Sequence, residues 1–385
     1  MSAAAPLVSV LTPVYNGEHY LAACIDSVRA QTYSTWEYVV VDNASTDRTR
    51  EIAERYAARD PRIRVVSNPR LVGVIENHNI AFRQTSAASA YCKVVHADDL
   101  LFPECLAAMV ALAEAHPSVG IVSAYRLQGD WLDLDGLPYP SPVTPGRTIC
   151  RWSLLGFPYV FGSPTSHMIR ADLVRARNPF YDESSIHADE AACYEVLASS
   201  DFGFVHQLLT LSRVHPGTVT SSVAQRLNTY LAGGLAILQK YGPIYLTPSE
   251  YERQHRERLA QYYKYLAQVA VTGRNSEVWA YHRRALARLG HAFSWMALLR
   301  AFVRHTTRIA LSPGTDLPKV VQALRRGSGR PVTAEPWPDV LDRARMHAFV
   351  KSIERADAAR VRNGAPSGVL ETVPPSPPDP VAERL

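Results

Sequence analysis

The first hundred residues alternate between short apolar runs and stretches with helical spacing. Leu7–Leu11, Tyr38–Val41, Ile63–Val66 and Tyr91–Val95 read as buried strands. Each carries apolar residues on both pleat faces, the pattern of a strand covered on both sides. Between them, Glu18–Gln31, Thr46–Ala58 and Val74–Gln84 place apolar residues three and four apart, as amphipathic helices do. Strands alternating with helices predict βαβ units, hence an α/β fold with a mostly parallel central sheet flanked by helices.

Farther along, Glu104–Ala115 reads as a helix and Val119–Ala124 as a strand. Gly129–Gly146, rich in Pro, Gly and Asp, reads as a loop. Asp189–Ala198 is expected as a helix, Phe202–Val214 as a strand and Ala224–Gln239 as a helix. Beyond Gly242 the strand pattern stops and helical spacing dominates from Glu250 to Ala310, with a further helix expected over Val340–Val361. The last 22 residues, Gly364–Leu385, hold six prolines and are expected to lack packed structure. Three regions follow: 1–222 as an α/β domain, 223–330 as a basic helical region, and 331–385 as a helix with a Pro-rich tail.

Charge sharpens this division. The chain of 385 residues carries a formal charge of only +5, too little to argue for nucleic acid as a partner. Between Tyr245 and Arg330, however, stand 15 Lys and Arg against 5 Asp and Glu, so the basic character sits in one block. The five cysteines include no C-x-x-C pair, which suits a reducing compartment better than a disulfide framework. Neither a signal-peptide pattern nor an apolar run of about 18–20 residues is present, so a cytoplasmic location is expected, with the cytoplasmic face of a membrane as a second place.

In an open α/β sheet, ligands bind beyond the carboxyl ends of the strands. Those ends read Thr12-Pro13-Val14-Tyr15-Asn16-Gly17, then Asp42-Asn43-Ala44-Ser45-Thr46-Asp47, then His96-Ala97-Asp98-Asp99. Two adjacent carboxylates after a buried strand suit a hard divalent cation such as Mg²⁺ or Mn²⁺, with substrate phosphates completing its shell. The plainer alternative is that Asp98 and Asp99 cap the next helix. Asp42 has a plain alternative too, because Asp-Asn-Ala-Ser is good turn chemistry. Asp189 could be a first-turn acid that suits the helix dipole, and His215 an ordinary surface histidine. Neither G-x-G-x-x-G after the first strand nor G-x-x-x-x-G-K-[ST] occurs, which disfavours a dinucleotide site and excludes a P-loop.

Taken together, Thr12–Gly17 (TPVYNG), Val39–Thr49 (VVVDNASTDRT), Gly73–Asn79 (GVIENHN), Tyr91–Asp99 (YCKVVHADD), Ala188-Asp189-Glu190 and Arg213–Gly217 (RVHPG) resemble family 2 glycosyltransferases. The resemblance covers about Pro6 to Ser222 and implies a GT-A fold. It further implies that Pro13, Tyr15 and Glu18 border the nucleotide and that Asp42 binds the base. Asp98 takes the ribose side of a D-x-D-like site whose metal is held by Asp99, with His215 near the metal or diphosphate. His78, Asn79 and Lys93 join the donor-binding set, His78 standing where the family often has Arg. Asp189 is implied as the general base, with Glu190 as its alternative.

The implied activity is inverting transfer of a sugar from a nucleoside-diphosphate sugar, a UDP-sugar first, to a sugar, lipid-linked or other acceptor in surface polysaccharide or glycoconjugate synthesis. Two rival readings are a catalytically silent nucleotide-sugar-binding module and a sugar-1-phosphate nucleotidyltransferase. The latter usually opens on a Gly-rich, Arg-containing loop, unlike TPVYNG. Finally, His291–Leu311 is amphipathic. Arg300, Arg304 and Arg308 fall on one stripe, so it reads either as a helix lying on an anionic membrane surface or as one packed on the protein with an exposed Arg face.

Overall fold

The computed structural model describes residues 5–128, 131–157, 159–215, 220–272 and 276–311. The helix expected over Val340–Val361, the Pro-rich tail and the whole 331–385 region lie outside these residues.

The first half follows the expected alternation. Strands β1 (Val8–Val14), β2 (Trp36–Asp42), β3 (Ile63–Ser67) and β4 (Tyr91–Val94) are joined by helices α1 (Leu21–Arg29), α2 (Thr49–Ala57) and α3 (Val74–Arg83). The short β5 (Leu100–Leu101) and helix α4 (Cys105–Ala115) lead to β6 (Val119–Gln128). The chain then forms β7 (Trp131–Asp133), β8 (Val143–Thr144), α5 (Gly146–Leu154), β9 (His167–Arg170) and α6 (Ala171–Arg175). Helix α7 (Ala188–Val196) and the long β10 (Asp201–Ser212) complete the sheet region. Helices α8 (Thr229–Tyr245), α9 (Pro248–Thr272), α10 (Ser276–Arg288) and α11 (Trp295–Leu311) form the helical region.

The sheet runs β3-β2-β1-β4-β9-β6-β10-β5, with β7 on β6 and β8 on β10. Its long pairings, β1 with β2 and β4, β2 with β3, and β6 with β10, are all parallel. The antiparallel pairings cover two or three residues each. Period-2 alternation divides the strands between two cores. Leu11, Val39 and Val41 enter the core on one face, and Val10, Tyr38 and Val40 the core on the other. Because both faces are covered, apolar runs rather than alternating ones mark these strands.

Three departures from the sequence expectations stand out. Gly129–Gly146 is not all loop, since β7 and β8 lie within it. Between Gly146 and His187, where no element was expected, lie α5, β9 and α6. Strand β9 enters antiparallel between β4 and β6, and at four residues, half of them polar, it is too short to show a period. Helix α8 starts at Thr229 rather than Ala224, and it serves two cores. Ile237, Leu238 and Tyr241 join the sheet core, while Leu235 packs with Tyr262 and Leu266 of α9.

Candidate active site

β1 pairs with β2 on one side and with β4 on the other, so the chain reverses direction across the sheet there. The crevice beyond the strand ends at such a switch point is where an α/β sheet accepts ligands. Thr12 of β1 bridges the switch: its hydroxyl donates to the Val95 carbonyl (2.7 Å) and lies 2.8 Å from the Tyr38 hydroxyl. The chain then turns sharply. Asn16 adopts a left-handed conformation with φ 49°, and a Cβ on Gly17 would stand 2.6 Å from Val14 Cγ2. The Asn16 amide N–H donates to Ser45 Oγ (3.0 Å) and its side-chain oxygen accepts from the Thr46 N–H (2.9 Å). Glu18 accepts from the Arg48 N–H (3.1 Å), and its own N–H donates to Asp47 (3.1 Å). The β1 and β2 loops are thereby tied into one wall, with Pro13 opposite Val41 in register and Tyr15 exposed at the rim.

Asp42 ends β2 in the same wall. It is buried, and one carboxylate oxygen accepts from the Ser45 N–H (3.1 Å). The turn-forming role read from the sequence is therefore real, and it orients the carboxylate at the strand end.

The loop after β4 gathers the polar groups. His96, Asp98 and Asp99 each bring a ligand-type atom within 4.8 Å of the others. Asp99 is only 4% exposed and accepts from Ser212 Oγ (3.2 Å) and the Arg213 N–H (3.2 Å). The Asp98 carboxylate meets His215 Nε2 at 3.1 Å, and its carbonyl accepts from the Arg213 guanidinium (2.7 Å). His215 therefore sits on Asp98 rather than on Asp99. Its ring also lies 4.7 Å from Tyr20, over which Arg213 packs at 5.2 Å. Burial, with the charge of Asp98 as a further contributor, pushes the Asp99 carboxyl above the usual carboxylate range, against the pull of His96.

His78 and His96 fix one another. His78 Nδ1 lies 2.8 Å from the Val74 carbonyl, which can only accept, so Nδ1 carries the proton. Burial and the neighbouring His96 push His78 down to about 3, so it is neutral. Its Nε2 must then accept from His96 Nε2–H, 3.1 Å away. That leaves His96 Nδ1 facing Asp99 Oδ2 at 3.8 Å, too far for a hydrogen bond. A divalent cation fits this arrangement. Two carboxylates and an imidazole converge, and the imidazole gives its other N–H to a buried acceptor, as metal-bound histidines do. An imidazole in the set favours Mn²⁺ over Mg²⁺, whose ligands are oxygens.

Three residues expected on the donor stand elsewhere. Lys93 is fully buried in β4, and its ammonium is taken up by the carbonyls of Thr165 and His167, so it braces the turn before β9. Asn79 spends its side chain on Tyr181 N–H (2.8 Å), Tyr181 carbonyl (2.8 Å) and Glu183 (3.0 Å), latching the loop before α7. His78 stands behind His96. All three lie on buried faces of their elements and make their contacts within the protein.

Asp189 and Glu190 open α7. Asp189 lies within electrostatic reach of His96, His187, Tyr159, Tyr181 and Tyr230. Burial raises its carboxyl above the ordinary range, although the Glu190 N–H, His187 and His96 oppose the shift. Glu190 is pushed up to about 7, by burial first and by Asp189 second, with Arg258 of α9 opposing. Asp189 thus feels the charge of His96 in the cluster, and Glu190 that of Arg258 in the helical region. A separate cavity of about 620 Å³, lined by Arg83, Phe180 and Glu195, borders the other face of α7, that of Ala188 and Ala192.

The raised Glu190 has a consequence for stability. Its folded pKa of about 7 exceeds the unfolded value of about 4.5. The folded state therefore holds this proton better, and the stabilisation present at low pH is lost as pH rises from about 4.5 through 7. Glu190→Gln is expected to raise the melting temperature by a few degrees at pH 8 and to leave it unchanged at pH 4. Equal shifts at both pH values would show that Glu190 is not held protonated.

Comparison with known proteins now bears on this geometry. The sequence model of Glycosyl transferase family 2 matches residues 9–176. Residues 9–176 are therefore similar in sequence to family 2 glycosyl transferases. Over 160 residues the chain is 33% identical to the putative glycosyltransferase EpsE of Bacillus subtilis, covering 39% of this chain and 56% of that protein. Over 94 residues it is 38% identical to the putative teichuronic acid biosynthesis glycosyltransferase TuaG of the same organism, covering 24% and 36%. The chain thus spans at most about half the length of these relatives. Among solved structures, Staphylococcus aureus TarS 1–349 matches with a TM-score of 0.52 at 17% identity, covering 74% of this chain and 80% of that one. Its complex with UDP-GlcNAc matches at 0.51 and 15%, covering 95% of each. At these identities the likeness establishes the GT-A fold, and fold does not by itself assign a reaction.

Of the residues expected from sequence, Asp98 and Asp99 stand in the cluster, His215 meets Asp98, Asp42 ends β2 and Asp189 opens α7. Sequence reasoning did not give His96, Arg213, Tyr181 or Tyr159 a role. His96 carried a signal, standing two residues before Asp98. Tyr159 and Tyr181 lie in irregular chain with no periodicity to mark them.

Proposed function

We propose that this chain is an inverting glycosyltransferase that moves a sugar from a nucleoside-diphosphate sugar to an acceptor hydroxyl. The observation that carries the reading is the carboxylate–imidazole cluster at the switch point, with a third carboxylate, Asp189 at the start of α7, within electrostatic reach of its His96. The wall built by Pro13, Tyr15, Glu18 and Asp42 receives the nucleotide, with Asp42 on the base and Asp98 on the ribose side. His96, Asp98 and Asp99 would hold a divalent cation. Such an ion supplies positive charge against the diphosphate, whose negative charge grows as it leaves. Asp189 accepts the proton of the acceptor hydroxyl as its oxygen bonds to the sugar C1. The bond from C1 to the diphosphate oxygen breaks in the same displacement. The nucleoside diphosphate departs, and the anomeric centre is inverted.

A UDP-sugar is the first donor to test, in keeping with the UDP-GlcNAc held by the TarS structure. The teichuronic acid role in the printed description of TuaG supports a surface polysaccharide or glycoconjugate as the product class. Thermal-shift measurement over a panel of nucleoside diphosphates and sugar nucleotides, with and without Mn²⁺, checks the reading. A ligand that binds only the folded chain raises the melting temperature. At least one UDP compound is expected to do so, and more strongly with Mn²⁺. Indifference to every nucleotide in both conditions would overturn the assignment. Binding without transfer or donor hydrolysis would instead indicate a silent module.

A further inference from the structure

Helix α11 has two apolar faces, and only one is used. Leu298 is buried, and Ala297, Ala301 and Phe302 pack with it on the helical core that includes Tyr262, Tyr263 and Leu266 of α9. On the opposite side Trp295, Met296, Leu299 and Val303 are 65%, 62%, 62% and 52% exposed. Spacings of four bring Trp295, Leu299 and Val303 into line, with Met296 beside them. Single exposed apolar residues are ordinary, but a continuous strip of four large ones on one helix marks an interaction surface.

Charge indicates what it meets. Arg300 and Arg304 follow the strip along its edge. A groove of about 670 Å³ between α9 and α11 is lined by Lys264, His291, Arg300, Arg304 and His305, and by no carboxylate. The Arg283 guanidinium sits 5.2 Å from the Trp295 ring. An apolar strip beside a cationic groove complements a surface that is apolar beneath an anionic layer. Residues 312–385, with 11 Lys and Arg against 9 Asp and Glu, lack the excess negative charge to match it.

We propose that this face docks the protein on an anionic lipid bilayer, with Trp295, Met296, Leu299 and Val303 entering the headgroup boundary and the basic groove facing the phosphates. The strip belongs to the same packed helices as α8, whose first residue, Thr229, meets His187 Nε2 at 3.0 Å and whose Tyr230 ring lies 5.2 Å from that of His187. Helix α11 packs on α9 and α9 on α8, so the strip and the contact to the residue before α7 belong to one set of packed helices.

The test uses the full chain and phosphatidylcholine vesicles with or without phosphatidylglycerol. All five natural cysteines are buried, so Leu299→Cys can be labelled selectively with an environment-sensitive dye. Anionic vesicles are expected to sediment the protein and shift the dye to the blue, both effects fading as salt rises. The double variant Arg300→Glu/Arg304→Glu should partition roughly 30-fold or more weakly. Its melting-temperature response to UDP and Mn²⁺ should be intact, so failure here is distinct from failure of the transfer reading. Equal binding to neutral vesicles, or no effect of charge reversal, would overturn the proposal. So would a dye already shielded without vesicles, whether by residues 312–385 or, if concentration-dependent, by a second copy.

Discussion

Replacing Asp189 by Asn is expected to lower glycosyl transfer by roughly 10²–10⁴-fold, the usual share of general acid–base catalysis, while donor binding stays within about twofold. The substitution keeps the shape of the side chain and removes its capacity to take a proton. On the proposed reading nucleotide binding is spared, because it rests on the β1 and β2 wall and the His96–Asp99 loop rather than on α7. The raised Asp189 carboxyl adds a pH signature. Transfer needs the carboxylate form, so activity should fall as pH drops through the raised pKa, and the acid limb should lie clearly above the ordinary Asp value of about 3.9. Asp189→Asn should abolish that limb. Glu190→Gln is the control. Glu190 faces Arg258, so its loss should change stability far more than turnover. Loss of transfer in Glu190→Gln with full activity in Asp189→Asn would move the base by one residue. Full activity in both would remove α7 from the chemistry.

Asp99→Asn is expected to erase the Mn²⁺-dependent part of nucleotide binding. Asp99 is the most enclosed member of the cluster, and neutralising it removes charge where water cannot compensate. Titration calorimetry of UDP against wild type and variant, with Mn²⁺ and with excess chelator, reads the effect. The two proteins should differ strongly with metal and converge in chelator. His78→Phe provides a graded companion. It removes the acceptor that orients His96 without touching a carboxylate, and should weaken Mn²⁺ affinity by roughly 10–100-fold, the range for outer partners of metal ligands. A wild type that binds UDP equally well in chelator would sink the metal site. A His78→Phe protein with unchanged Mn²⁺ affinity would remove His96 from it.

Much of this molecule was determined locally. The β1 to β4 strands and their helices were legible because each element is long enough to show its own period, and strands covered on both faces leave continuous apolar runs. Asp42 and the Asp98-Asp99 pair were legible because a strand end before a turn is set by the same local signals. The amphipathic character of α11 was equally plain. Which of its apolar residues are used was not, because Leu298 and Leu299 differ only in which neighbour they meet, and that neighbour is α9. Lys93, His78 and Asn79 show the same limit from the other side. Each is turned into the protein, Lys93 and Asn79 onto backbone groups distant in sequence and His78 onto the Val74 carbonyl and His96. The convergence of His96, Asp98, Asp99 and His215 was likewise decided only by tertiary structure. It depends on β9 entering between β4 and β6 and on β10 bringing Ser212 and Arg213 to Asp99. Burial then sets the charge state of Asp189 and Glu190, which no pattern of neighbouring residues along the chain can specify.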